Sequence, residues 1–159
     1  MAFESLTDDK IADLLNCTKR LTNPQARRKS KDGHEQINYH ASSTDGSQHE
    51  FEIYRRQNLR EGMEDDFSCG ISWIAPNGET LTIKRYNGPN HNHPNHLEGE
   101  HLGFKCHIHT ATEKYLKANR KAEGYAVATD RYITIEGALD CLVADCNAIG
   151  ISTSPDHLS

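Results

Sequence analysis

The hydrophobic positions of this 159-residue chain repeat with a helical period near both ends and with a period of two in the middle. Near the start, Thr7 is suited to be an N-cap, and the apolar stripe behind it consists of Ile11, Leu14 and Leu15. This pattern predicts a short helix that ends near Cys17. Thr134 is suited to cap a final helix, whose stripe consists of Ile135, Leu139, Leu142, Val143 and Cys146.

The middle of the chain has the alternation of antiparallel strands. Apolar residues alternate with polar or small ones at 51–56, 67–73 and 81–86. The segment Ala75-Pro-Asn-Gly-Glu79 carries a turn signal between the last two runs. These features predict a three-stranded antiparallel meander whose last two strands form a hairpin.

Turn-forming and capping residues mark the remaining boundaries. A basic segment begins at Asn23-Pro24 and ends at Asp32-Gly33, and residues 40–48 predict a loop. Residues 104–109 predict a short strand. Thr110 to Glu113 has the capping-box pattern, which predicts a helix to about Arg120, and 125–130 predict an extended segment.

The order of these elements predicts an α+β fold with an antiparallel β-meander in the middle and N-terminal and C-terminal helices. The length fits one domain over 1–150, followed by a flexible C-terminal tail over 151–159. We find no apolar run long enough to cross a bilayer and no signal peptide, which predicts a cytoplasmic protein without a membrane partner. Five dispersed cysteines without CxxC spacing indicate neither a disulfide framework nor a cysteine-rich zinc site.

Six of the ten histidines lie between His91 and His109, so chemistry is expected there. His107 and His109 are two residues apart on a predicted strand and share one face, just before a predicted helix N-terminus that suits a phosphate. One imidazole can take a proton from a 2′-hydroxyl while the other supplies one to the leaving oxygen. The leading hypothesis is therefore a metal-independent ribonuclease, with RNA as its substrate and no cofactor.

In this hypothesis the catalytic residues are His107 and His109, supported by Glu98 and His101. Charge stabilisation and base stacking favour a second set as contacts to the substrate and its phosphates: Lys84, Arg85, Tyr86, His96 and Thr110.

The alternative is a metal site. His91-Asn-His93-Pro-Asn-His96 resembles the HxHxDH signature of metallo-β-lactamase-fold hydrolases, with Asn95 in place of the aspartate. The short chain, its antiparallel elements and the missing aspartate exclude that family, but the ligand chemistry remains. A zinc- or manganese-dependent hydrolase would use His91, His93 and His96, or else His107 and His109 with Glu98 or Glu100.

The segment from Phe51 to about Asn147 resembles a family of small bacterial proteins without an established activity. The resemblance rests on FSCGISWIAPNGETLTIKRYNG, HPNHLEGEH, HIHTATEKY and TDRYITIEGALDCLVADCN, and it implies no catalytic residue. The layout is also similar to that of small ribonuclease toxins of the RelE/barnase-like type, an architectural analogy that implies a toxin with a protein antitoxin as partner.

A third hypothesis is an interaction or inhibitor protein, such as a phage counter-defence factor. The net charge of −5 argues against unspecific coating of nucleic acid, and the acidic stretch from Glu61 to Asp66 would mimic nucleic acid towards a partner. Basic residues nevertheless cluster in two places: Arg27, Arg28, Lys29 and Lys31, and Arg55, Arg56 and Arg60.

Overall fold

The computed structural model describes Phe3 and residues 5–151, so the predicted tail lies outside the described residues except for Ile151. Within this part the helices are α1 (Asp8–Asn16), α2 (Glu113–Lys117) and α3 (Ile135–Asp145). The strands are β1 (Lys19–Leu21), β2 (Arg28–Lys31), β3 (His34–Ser43), β4 (Glu50–Asn58), β5 (Phe67–Ile74), β6 (Thr80–Asn87), β7 (Pro94–Asn95), β8 (Glu100–His101), β9 (His107–Thr110), β10 (Ala126–Ala128) and β11 (Ala148–Ile149).

The strands form a large, mostly antiparallel sheet in the order β10-β9-β6-β5-β4-β3-β1-β11, and β2 also pairs with β3. Only β1 and β11 pair in parallel among the described strands. β7 and β8 form a separate two-stranded ribbon. The predicted α+β class is confirmed, with a helix near each end of the described chain and a central meander extended on both sides.

The capping residues explain where the long helices begin. The Thr7 hydroxyl accepts a hydrogen bond from the Lys10 amide, and α1 ends before Cys17 as predicted. The Thr134 hydroxyl accepts from the Gly137 amide and starts α3. For α2 the prediction is wrong by two residues, because the cap is Thr112 and not Thr110.

The segment from β2 to β3 differs from its prediction. β2 and β3 form a hairpin around Asp32 and Gly33, whose φ angles of 52° and 78° fit a two-residue turn. β3 then continues to Ser43, so residues 40–43 of the loop predicted at 40–48 belong to a strand. The alternating burial of Ile37, Tyr39 and Ala41 explains this strand.

The two faces of the sheet have different roles. One face packs against α3, whose buried side chains are Ile135, Ala138, Leu139 and Leu142, and it carries core residues such as Ile53, Ile71 and Tyr86. The opposite face presents polar side chains from β3, β4, β5, β6 and β9. No helix in the described part of the chain has the length and apolar character needed to cross a bilayer.

Candidate metal centre

Four histidine rings meet at the β9 end of the polar face. The ring centroid of His107 lies 4.9 Å from that of His91, 5.4 Å from that of His93 and 5.0 Å from that of His109. The His93 and His109 centroids are 4.5 Å apart. The sequence pointed to this segment for chemistry, and the structure shows that histidines from its loop and from its strand converge.

Strand pairing positions the two buried histidines. In β9, His107 and His109 lie on one face because successive side chains of a strand alternate. They are opposite Asn87 and Arg85 of β6, and opposite Ala128 and Ala126 of β10. Both imidazoles are almost fully buried, at 0% and 1% exposure.

Asn95 holds the loop that carries the other two histidines. Its Oδ1 accepts from the Ala126 amide at 2.9 Å, and its Nδ2 donates to the Ala126 carbonyl at 2.8 Å and to Glu100 at 2.7 Å. The Asn95 side chain thus pairs with the open edge of β10 as a neighbouring strand would. This explains why an asparagine occupies the place of the aspartate in the HxHxDH comparison: its amide anchors the loop.

Backbone carbonyls fix the protonation of the rings, because a carbonyl oxygen only accepts. His107 Nδ1 donates to Lys105 O at 2.8 Å, which leaves the lone pair on Nε2. His93 Nε2 donates to Gly124 O at 2.7 Å, which leaves the lone pair on Nδ1. Histidine ligands of metals are commonly oriented by such a hydrogen bond from the other ring nitrogen.

Three of the histidines have ring nitrogens close enough together to hold one ion. His91, His93 and His107 each offer a ring nitrogen, and these three atoms lie within 4.8 Å of one another. With zinc–nitrogen bonds of about 2.0–2.1 Å, tetrahedral ligands would be about 3.3 Å apart, so the site would close by on the order of 1 Å around the ion. His91 is exposed and lies in the loop before β7, so it is the ligand best placed to move.

Burial favours the neutral imidazole at His93, His107 and His109. It lowers the pKa of His107 to about 4, with His91 and His93 adding to the effect. It lowers the pKa of His109 to about 2, with the Arg85 guanidinium as the next cause. Burial also lowers the pKa of His93. Neutral imidazole is the form that binds metals.

Arg85 lies beside the cluster. Its Nη2 is 3.5 Å from His109 Nε2, and its Nη1 is 3.7 Å from a carboxylate oxygen of the buried Glu123. His109 Nδ1 in turn donates to Glu123 O at 2.7 Å. Both ring nitrogens of His109 therefore have a polar partner, and His109 is less suited to bind a metal than His91, His93 and His107.

Unsatisfied polar atoms mark the same spot. In the described part of the chain, four buried side-chain atoms lack a hydrogen-bond partner: Arg55 Nη1, Arg85 Nε, Asn87 Oδ1 and His107 Nε2. Arg85, Asn87 and His107 lie on β6 and β9, and their side chains project from the polar face of the sheet. Buried polar atoms are rarely left unpaired unless a ligand or water completes them. Asn87 was not singled out from the sequence, although strand alternation from Arg85 places it on the same face.

Three of the predicted substrate contacts lie away from the histidine cluster. Lys84, Tyr86 and Thr110 alternate with Arg85 and His109, so they project from the opposite face of the sheet. Lys84 Nζ is 3.4 Å from the Thr110 hydroxyl. The Tyr86 hydroxyl is in the core and donates to Asp145 at 2.6 Å.

The remaining predicted residues surround the cluster without joining it. Glu98 accepts from the Tyr115 hydroxyl and from Lys114, both at 2.6 Å, and so ties the loop to α2. His101 is exposed on β8. His96 is exposed and lines a cavity of about 490 Å³ together with Arg85, His93 and His109. The predicted site residues that the structure brings together are His91, His93, His107 and His109, with Arg85 beside them.

Comparisons with known proteins do not identify this arrangement. No family model, no curated protein and no solved structure matches the chain. The site therefore has to be interpreted from its own chemistry.

Proposed function

We propose that this protein is a metal-dependent hydrolase of phosphoric esters whose ion, zinc or manganese, is held by His91, His93 and His107. The observation that carries the proposal is the buried His107 Nε2 atom, which has no partner among the described residues. One ring nitrogen each of His91, His93 and His107 also lie within 4.8 Å of one another. Three imidazoles with a vacant fourth position are a ligand set of catalytic zinc. Manganese prefers harder ligands, so three imidazoles favour zinc.

The same features weigh against an acid–base pair made of His107 and His109. A general acid has to be protonated near neutral pH, whereas the pKa values of these two imidazoles are lowered to about 4 and about 2. Burial also separates both rings from solvent protons. Metal-independent cleavage of RNA by His107 and His109 stays a prediction, and the experiment below distinguishes it from metal catalysis.

The chemistry follows from the ligand set. An ion bound by three histidines lowers the pKa of its fourth ligand, a water, to about 7. The ion would supply a hydroxide nucleophile near neutral pH. As the hydroxide bonded to phosphorus, the bond from phosphorus to the leaving oxygen would break, and that oxygen would take a proton from water. Arg85 lies beside the cluster with an unpaired Nε in the described structure, and its charge stabilises the phosphoryl oxygens.

The five cysteines are all free, and free thiols persist in reducing compartments. This supports our proposal that the reaction takes place in the cytoplasm.

The test is metal content together with activity. Tag-free protein purified without added metal is analysed for bound elements, and hydrolysis of bis(p-nitrophenyl) phosphate is followed before and after chelation. We expect about one equivalent of zinc or manganese and activity that chelation removes and the ion restores. Cleavage that survives complete chelation would overturn the proposal and favour the acid–base pair.

Two variants give the matched comparison. His91→Ala removes an exposed ligand and should leave the fold intact while lowering metal affinity by about a hundredfold or more, as loss of metal-site residues does. His101→Ala removes an exposed histidine outside the cluster and should change neither metal content nor activity. Equal metal content in wild type and His91→Ala would contradict the ligand assignment.

A further inference from the structure

A continuous row of polar side chains crosses the sheet and ends at the candidate metal centre. In the observed register, each member lies opposite the next across neighbouring strands. The members of this polar row, from β2 to β9, are Lys29, Gln36, Arg56, Ser68, Asn87 and His107. Six strands spaced about 4.8 Å apart give the row a length of about 24 Å.

The polar row is exposed at its β2 end and buried at its histidine end. Lys29 and Arg56 are exposed, Gln36 and Ser68 are half-buried, and Asn87 and His107 are buried. The row therefore begins at open surface and descends into the histidine cluster. A long ligand lying on it would have one end in solvent and one group at the ion.

Cationic side chains line the cavities beside the polar row. Three cavities of about 620, 460 and 490 Å³ lie along it, and they are joined through the shared residues Gln36, Arg56 and Arg85. The residues lining these three cavities include a single carboxylate, Asp32, and seven cations: Lys29, Lys31, Arg56, Arg60, Arg85, Arg120 and Lys121. In a protein with a net charge of −5, such segregation indicates a surface for a polyanion.

An aromatic ring lies next to the row. Tyr54 is half-buried on the same face and opposite Gly70 of β5. A Cβ atom at Gly70 would lie 2.8 Å from Tyr54 Cε1, so the ring rests on the glycine. Together with Arg56, Arg85 and His91 this ring lines the middle cavity. Aromatic rings on sheet surfaces are platforms on which unpaired bases stack.

We propose that the ligand of this surface is a single-stranded nucleic acid, lying along the polar row with one phosphate at the histidine cluster. A phosphodiester chain has the repeated negative charge that the seven cations match, and unpaired bases supply the rings that stack on Tyr54. The recessed position of His107 favours a flexible single strand over a rigid duplex. Cleavage of that strand rests on the proposed function, whereas its binding does not.

The test is fluorescence anisotropy with a short labelled RNA of mixed sequence, measured with chelator present so that cleavage cannot deplete the probe. The double variant Lys29→Glu/Arg56→Glu changes two exposed residues of the polar row. We expect it to bind at least about tenfold more weakly and to make the slope of log affinity against log salt shallower by about 1.4. Metal content and thermal unfolding should not change.

The matched control is Arg20→Glu, a charge reversal at an exposed β1 position away from the row, which should alter affinity by less than about twofold. Equal binding by wild type and the double variant, or equal weakening by Arg20→Glu, would overturn the proposal. Tighter binding of a duplex than of the single strand would overturn it as well. Stronger binding of RNA than of single-stranded DNA would support it and identify a contact to the 2′-hydroxyl, while equal binding would support it through phosphates alone.

Two failures can be told apart. Absence of metal with intact, charge-dependent binding would remove the proposed hydrolysis and leave the nucleic-acid surface. Bound metal and phosphodiesterase activity without binding to the row would remove the surface and leave the hydrolase.

Discussion

Lys19 and His107 are both fully buried polar residues, and they lie towards opposite ends of the sheet. Lys19 Nζ donates to three carbonyl oxygens, those of Leu15 at 2.9 Å, Cys17 at 2.8 Å and Cys146 at 2.8 Å. His107 uses one ring nitrogen, while its Nε2 lacks a partner in the described structure. Burial is the same for both, and only the completeness of hydrogen bonding differs.

This difference separates a structural residue from a candidate ligand. Lys19 satisfies carbonyls at the C-terminal ends of α1 and α3, where helices leave acceptors unpaired and favour a cation. Every donor of its ammonium group has an acceptor, so the group needs nothing from outside the chain. A buried lone pair without a donor costs free energy of folding, and an incoming cation would recover it.

The largest expected effect is loss of stability on Lys19→Met. Methionine keeps the aliphatic stem but removes three donors from carbonyls that have no other role in the described structure. We expect the free energy of unfolding to fall by about 3 kcal/mol, since each unsatisfied buried acceptor costs about 1 kcal/mol or more. Chemical denaturation measures this, and the folded fraction should retain its full metal content.

Arg20→Met is the matched control, because Arg20 is the exposed neighbour on the same strand. It should change the free energy of unfolding by no more than about 0.5 kcal/mol. Equal effects of the two substitutions would show that hydrogen bonding by Lys19 does not stabilise this end of the sheet.

Asn95 is fully buried near the histidines, but its side chain is hydrogen-bonded. It therefore tests whether location in the sheet or incomplete hydrogen bonding distinguishes a candidate ligand from a structural residue. Asn95→Asp would replace an amide donor by an acceptor facing the Ala126 carbonyl and Glu100. We expect a loss of about 2 kcal/mol of stability and weaker metal binding, although the substitution recreates the HxHxDH pattern. Denaturation and metal titration check both statements.

Asn92→Asp is the control for this change. Asn92 Oδ1 accepts from the Gly103 amide at 2.8 Å, and a carboxylate can accept in the same way. Stability and metal binding should therefore stay close to wild type. Tighter metal binding by Asn95→Asp would show that residue 95 is a ligand position.

Local patterns predicted much of the fold. Thr7 and Thr134 cap their helices, and the alternation from Phe51 to Tyr86 forms the meander, because capping and burial depend on neighbouring residues. β3 was missed in part, since polar residues between Ile37, Tyr39 and Ala41 resemble a loop. The parallel pairing of β1 with β11 joins segments more than a hundred residues apart, and no local pattern indicates such a contact.

The sequence could predict only those features of the site that follow from strand alternation. The two-residue spacing of His107 and His109 places them on one face, and the same rule separates Lys84 and Tyr86 from Arg85. The carbonyl groups of Lys105 and Gly124, which fix the ring protonation, cannot be recognised from side-chain types. The loop histidines reach the cluster through the contact of Asn95 with β10, which depends on tertiary structure.

Among the three buried residues compared, His107→Leu has the smallest expected change in stability, and it gives the sharpest test of the comparison. Leucine of similar volume removes one hydrogen bond to Lys105 O and also removes the unpaired Nε2, so the two effects offset each other. With chelator present, the free energy of unfolding should stay within about 1 kcal/mol of wild type, unlike that of Lys19→Met.

Zinc at about a hundred times its dissociation constant should stabilise wild type by about 2.7 kcal/mol and leave His107→Leu unchanged. His49→Leu, the same substitution outside the cluster, should keep the full response to zinc. A zinc response in His107→Leu equal to that of wild type would mean that the unpaired nitrogen is not a ligand, and the contrast between the two buried residues would then not reflect function.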